Sequence, residues 1–143
     1  AARYVIPMRL SVAARARPAL TETYKLRSRA DIPKGFTRLC QMLRWDDDCV
    51  WAMWTAHNGS WFESASEHFM YWNTSSREWW IVNSSGISEY HGAGDASDPR
   101  TVTKWCSIFS GGKAPASILV SLLEDNVSAT TGFETSKPTS ITA

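Results

Sequence analysis

Residues 60–91 read SWFESASEHFMYWNTSSREWWIVNSSGISEYH. Four short runs, Ser60–Ser64, His68–Trp72, Glu78–Val82 and Ile87–His91, are rich in aromatic and β-branched residues. Between them stand turn-forming clusters, Asn73-Thr74-Ser75-Ser76 and Asn83-Ser84-Ser85-Gly86. Aromatic side chains suit pleated, half-buried surfaces, and runs at roughly ten-residue spacing joined by tight turns indicate an antiparallel meander. Upstream, Cys49–Ala56 (CVWAMWTA) followed by Asn58-Gly59 reads as another strand entering a hairpin. Downstream, Gly92–Pro99 forms a loop leading to a strand within Thr101–Phe109. The expected fold is mainly β: a single small antiparallel meander or sandwich-like domain.

Two segments carry other signals. Phe36, Leu39, Cys40 and Leu43 recur at helical spacing within Phe36–Trp45, which predicts one short helix. Ser117–Leu123 (SILVSLL) is apolar enough for a closing strand or a helical turn, and periodicity leaves the two open.

The formal charge of +1 conceals an uneven layout. Residues 1–44 hold ten basic and two acidic side chains, a net +8, and residues 45–143 hold five basic and twelve acidic, a net −7. Residues 1–35 are therefore expected to form an extended basic arm, 36–124 the Trp-rich β domain, and 125–143 a Ser/Thr-rich extended tail. Arg3, Arg9, Arg15 and Arg17 stand in an acid-free stretch interrupted by Pro7 and Pro18, which exclude one continuous helix. Such an N-terminus resembles the end of an organelle transit peptide. The chain has no apolar run of the ~18 residues that a membrane-spanning helix needs.

Chemistry is sparsely signalled. Cys40, Cys49 and Cys106 match no zinc-ribbon spacing, and three buried free thiols are favoured over a single Cys49–Cys106 bridge. His57, His68 and His91 form no metal-binding pair. His91 with Asp95 or Asp98 suggests a general base, but no nucleophile elbow accompanies it. Asp46-Asp47-Asp48 suits either a hard cation or a solvated acidic corner that receives basic side chains. No catalytic residue, metal site or cofactor is therefore expected, and the chain is read as a non-enzyme. All four Asn sit in N-x-S/T sequons (Asn58, Asn73, Asn83, Asn126), three of them in turns where Asn and Ser cluster in any case.

All eight Trp fall between Trp45 and Trp105. Each indole carries about 200 Å² of area, too much for a small sheet to bury eight times over. Adjacent Trp79 and Trp80 must point to opposite faces of a strand. Trp61, Trp72, Trp79 and Trp80 are therefore candidates for an exposed surface that anchors a protein or stacks on a sugar. The −7 charge of the region holding them argues against nucleic acid.

The stretch from about Trp51 to Leu119 resembles a small Trp-rich β-repeat abundant in proteins of dinoflagellates and stramenopiles. The resemblance is carried by Asn58-Gly59 with Trp61, Met70-Tyr71-Trp72, Trp79-Trp80-Ile81-Val82, Glu89-Tyr90-His91, Asp98-Pro99, Trp105 and Pro115. It implies a recognition or scaffolding module and no established chemistry. With the basic N-terminus, it leads to the expectation of a peripheral accessory subunit of an organellar membrane complex, in first place a plastid photosynthetic assembly at the thylakoid. A mitochondrial inner-membrane respiratory complex is the second expectation, and a carbohydrate-binding module the third. The expected partners are other subunits, with Arg3, Arg9, Arg15 and Arg17 meeting them or anionic lipid headgroups.

Overall fold

The six residues of Arg9–Ala14 alternate in burial, with Leu10, Val12 and Ala14 turned inward. They form β1 of a computed structural model that describes residues 8–28, 30–56, 60–108 and 115–123. A 3-10 turn at Pro18–Leu20 leads into β2 (Glu22–Arg27), and two helices follow, α1 (Lys34–Leu43) and α2 (Asp47–Trp54). The chain then returns to strands: β3 (Trp61–Ser64), β4 (Phe69–Asn73), β5 (Glu78–Val82), β6 (Ser88–Ala93), β7 (Trp105–Ser107), β8 (Pro115–Ala116) and β9 (Ile118–Leu122).

The mainly-β expectation holds. Every pairing is antiparallel, in the order β8-β7-β6-β5-β4-β3-β2-β1-β9. Only Ser117 separates β8 from β9, so the two edges of the sheet are one bent stretch of chain. Counted as a single strand, it pairs with β7 on one side and β1 on the other, and the eight strands curl into a near-barrel rather than a sandwich. Such closure removes the edges on which other chains could add strands.

The curled sheet has two apolar faces. Leu26, Phe62, Met70, Ile81 and Tyr90 are register partners on five successive strands and form a rib across the interior. Beside them Trp72 opposes Trp79, which opposes Gly92. A Cβ on Gly92 would lie 2.7 Å from Lys104 O, so glycine leaves room for the backbone entering β7. On the outer face of β3–β5, Trp61, Phe69, Tyr71 and Val82 form a second cluster with Phe36 and Cys40 of α1 and Trp51 of α2. Two cores, one on each side of a single sheet, solve the problem of eight indoles. Trp72, Trp79 and Trp105 fill the interior, and Trp51 and Trp61 are buried outside it.

Several expectations are corrected. Residues 9–14 and 22–27, assigned from sequence to the 1–35 arm, are strands β1 and β2, each paired on both sides. Their basic residues occupy positions between the inward apolar ones, so charge masked a strand alternation. Cys49–Ala56 is not a strand but mostly α2, which makes two helices rather than one short helix. Asp46 caps α2, its carboxylate accepting the Cys49 N–H at 3.2 Å, while Asp47 and Asp48 lie in the first turn where the helix dipole favours them. The segment at Ser117–Leu123 resolves as strand. Asn58-Gly59 and the 125–143 tail lie outside the described residues.

Candidate functional site

The helix pair inserted between β2 and β3 is tied down at both ends. Gly86, in the β5–β6 turn with φ +87°, sits against Gly35 and Leu39 of α1. At the other end Thr74 N donates to Trp54 O at 2.7 Å. Arg44 closes α1 in the left-handed conformation (φ 59°), Trp45 N donates to Cys40 O at 2.8 Å, and Thr37 Oγ1 donates to Asp47 Oδ2 at 3.1 Å. These bonds lock the two helices into a short hairpin whose inner side is Phe36, Cys40 and Trp51.

Its outer side mixes the exposed Lys34, Arg38, Gln41 and Arg44 with exposed apolar residues. Met42 (67% exposed), Leu43, Trp45 (43%) and Met53 (60%) face outward. Trp45 meets Trp54 edge to face at 5.9 Å between ring centres. Trp45, Asp46, Val50, Met53 and Trp54 line a shallow depression of about 270 Å³. The carboxylates of Asp46, Asp47 and Asp48 approach within 4.8 Å of one another, and Asp46 forms part of the wall of this depression. Asp46 and Asp47 are already engaged in capping α2 and joining it to α1, which accounts for the acidic run structurally. On α2, where apolar residues extend beyond the buried Trp51 to Val50, Met53 and Trp54, that second side is suited to cover.

The sites expected from sequence fall elsewhere. Trp61, Trp72 and Trp79 are buried in the folded chain and form no exposed row. Trp61 Nε1 donates to Ser28 O (2.9 Å) and Asp31 O (2.8 Å), and Trp79 Nε1 donates to Asp95 O (2.7 Å). Trp79 and Trp80 do point to opposite faces. Trp80 lies half-buried at the margin of the outer cluster, stacked on His91. Trp45 is the one exposed tryptophan among the described residues.

Among the arginines, Arg3 lies outside the described residues. Arg9 is an exposed residue of β1, and Arg15 is exposed in the β1–β2 connection. Arg17 is folded back onto Glu89, a carboxylate only 1% exposed. Its Nη2 donates to Oε2 at 2.9 Å, and its Nε lies 2.7 Å from Oε1, within ion-pair distance but without hydrogen-bond alignment. Asn83 Nδ2 supplies a further bond to Oε2 at 2.8 Å. Arg27–Glu63, Lys34–Glu67 (3.4 Å) and Arg38–Glu67 (2.8 Å) are further ion pairs between the basic N-terminal third and the acidic remainder. The charge separation along the sequence thus partly cancels within the fold.

His91 does not pair with Asp95 or Asp98. Its Nδ1 lies 2.9 Å from Glu78 Oε2, because β6 directs it outward beside β5. Asp98 instead takes Arg100 Nη2 at 2.7 Å and Nε at 3.0 Å, and Asp95 accepts from the Ser97 backbone at 3.0 Å. Burial penalises the Asp98 carboxylate, yet the bonds from Arg100 outweigh it and hold its pKa below the ordinary value. The three cysteines are free thiols, as favoured from sequence, although Cys49 is exposed and Cys106 partly so.

The exposed hairpin face was missed in the sequence because Cys49–Ala56 looks like a strand. Its legible signal was Asp-Asp-Asp before an apolar run, an N-cap pattern. In comparisons with protein-family models, curated proteins and solved structures, nothing matches the chain.

Proposed function

We propose that the protein is a non-catalytic accessory subunit that docks through the α1–α2 hairpin onto a basic, amphipathic segment of a larger membrane-associated assembly. The observation that carries this reading is the exposed apolar surface at Trp45 and Met53, which share a depression with Val50, Trp54 and Asp46, beside the Asp46–Asp48 carboxylates. Aromatic and methionine side chains in such a setting supply the buried anchor of an interface, and the acidic border selects a partner of opposite charge. The rigid filled barrel holds the hairpin in one orientation, so little ordering cost is added on binding. No helix among the described residues is long and apolar enough to cross a membrane, which suits a peripheral position.

The setting we propose is a plastid photosynthetic complex, with a mitochondrial respiratory complex second. It rests on the resemblance to the Trp-rich repeat. The exposed Arg9 and Arg15 then face neighbouring subunits or anionic headgroups, while Arg17, itself exposed, is engaged by the buried Glu89.

The test is isolation of the tagged full-length chain from native membranes in mild detergent, alongside W45A/M53A and D48K variants. Loss of an anchor residue typically costs ~2 kcal/mol of binding, about 30-fold in Kd. W45A/M53A is therefore expected to leave the assembly while melting like the parent, and D48K to bind more weakly at low salt. A W45A/M53A chain that co-purifies as fully as the parent overturns the docking surface.

A further inference from the structure

The three free thiols occupy three different environments. Cys40 is buried on the inner side of α1. Cys49 is exposed, but the Asp46 carboxylate beside it, by charge and by hydrogen bond, pushes its thiol up. Cys106 lies on β7 as the register partner of His91 on β6. Trp105, its neighbour in the strand, is buried in the interior, so Cys106 faces the outside together with His91. Directly opposed side chains in an antiparallel pair have Cβ atoms about 4.5–5.5 Å apart. No hydrogen bond joins the two side chains in the structure: the imidazole leans over β5 onto Glu78 and Trp80, and a change of the Cys106 side-chain rotamer is the movement that would bring the sulfur toward it.

The imidazole is held for such a role. Glu78 Oε2 lies 2.9 Å from Nδ1, an arrangement that keeps the proton on Nδ1 and leaves Nε2 as the basic nitrogen. Trp80 stacks on the other side of the ring, 4.9 Å between centres with 24° between planes. Both His91 and Glu78 are about one-quarter exposed, so solvent and a small reactant reach them. On the far side of β7, β8 consists of Pro115 and Ala116 and adds no titratable group; Lys104, exposed, immediately precedes β7.

We propose that Cys106 is a thiol-modification site, with His91 as its base and Glu78 as the positioning residue, and that its reactant is a small soluble disulfide. Nε2 of His91 accepts the proton of Sγ. The thiolate attacks one sulfur of the disulfide, forming a new S–S bond to Cys106 as the original S–S bond breaks. The departing thiolate then recovers the proton from His91, so the balance is one protein thiol and one disulfide giving one mixed disulfide and one free thiol. No further oxidant is consumed.

The test uses the full chain with excess oxidised glutathione at neutral pH, the adducts being located by peptide mass spectrometry over time. Cys106 is expected to react roughly tenfold faster than the more exposed Cys49. His91→Gln is expected to slow Cys106 roughly tenfold, with the rate partly restored by added imidazole, and with Cys49 unchanged as the reference in the same molecule. E78Q slows Cys106 less. Appearance of adduct on buried Cys40 identifies a variant that has opened, and the reading then rests on the other variant. Should both open, the order of Cys106 and Cys49 in the parent decides. Faster reaction at Cys49, or a folded His91→Gln or E78Q chain whose Cys106 rate equals the parent's, overturns the proposal.

Discussion

Replacing Gly86 by alanine should unseat the helix hairpin from the barrel. Gly86 holds φ at +87° in the β5–β6 turn, where its N–H donates to Asn83 O at 2.9 Å. A left-handed backbone costs a residue bearing a Cβ about 1–2 kcal/mol. Space compounds this, since the new methyl would lie 2.6 Å from Leu39 Cβ and closer still to Gly35 O. Neither neighbour yields easily: Gly35 is in the first turn of α1, and a Cβ on it would in turn meet Ser84 O at 2.9 Å. Overpacking of this kind adds about 1–3 kcal/mol. The sum, about 3 kcal/mol, corresponds to a fall in Tm of roughly 10 °C for a domain of this size. Thermal and urea denaturation of the purified variant measure it. Because the damage falls at the α1 contact, fluorescence of the Trp51 cluster should respond before far-ultraviolet strand signal is lost. A loss below ~0.5 kcal/mol, the ordinary scatter for surface changes, would refute the idea that this glycine pair seats α1.

A chain starting at residue 30 lacks β1 and β2 and with them Leu10, Val12 and Tyr24 of the interior. It should show no cooperative unfolding transition in circular dichroism, whereas a detachable arm would leave a folded body. Arg17→Ala leaves the buried Glu89 carboxylate with Asn83 as its remaining side-chain partner; urea titration should show about 1–3 kcal/mol lost, with part recovered by adding Glu89→Gln. Burial pushes the Tyr71 hydroxyl up to about 12, with Asn73 opposing, and raises Tyr24 and Tyr90 in the same direction. An unfolded tyrosine ionises near 10. The stabilisation from keeping these hydroxyls neutral is thus fully present below pH ~10 and is lost as pH rises toward 12. Phenolate absorbance should therefore rise together with alkaline unfolding, and Tyr71→Phe should move that unfolding to higher pH relative to its own neutral stability.

Local pattern made β3 to β6 legible. The aromatic runs and the Asn/Ser turns act over a few residues, and the turn side chains behave accordingly, Asn83 Oδ1 accepting the N–H groups of Ser85 and Ile87. Phe36–Leu43 was legible for the same reason, its apolar face repeating at helical spacing. β1 was not. RLSVAA alternates correctly, but the surrounding arginines gave the segment the composition of an arm. Only pairing with β2 and β9 reveals where its outward residues go. In α2, the β-favouring Val50, Trp51 and Trp54 point toward strand, and the Asp46 cap together with packing of Trp51 against Phe36 at 5.0 Å prevails.

The candidate sites divide along the same line. Four tryptophans were candidates for an exposed surface because one sheet face cannot bury eight indoles; the helix hairpin provides a second core, and three of those four are buried, Trp72 and Trp79 in the interior and Trp61 beneath the helices. The pairing of His91 with Glu78 and its position opposite Cys106 depend on strand register. That register shifts by one residue at a bulge, where Ile81 pairs with Tyr90 but Val82 with Ser88, leaving Glu89 as the extra residue. A one-residue shift reverses which side chains share a face, and nothing local encodes it. By itself, then, the sequence determined the β class, the central meander, the first helix and the opposite facing of Trp79 and Trp80, because these follow from neighbours in the chain. Closure of the barrel, pairing of Arg17 with Glu89, the outward apolar residues of the hairpin and the Glu78–His91 pair opposite Cys106 were decided only by tertiary structure. Each brings together residues far apart in sequence, and their positions follow from how the strands pair and what the two cores bury.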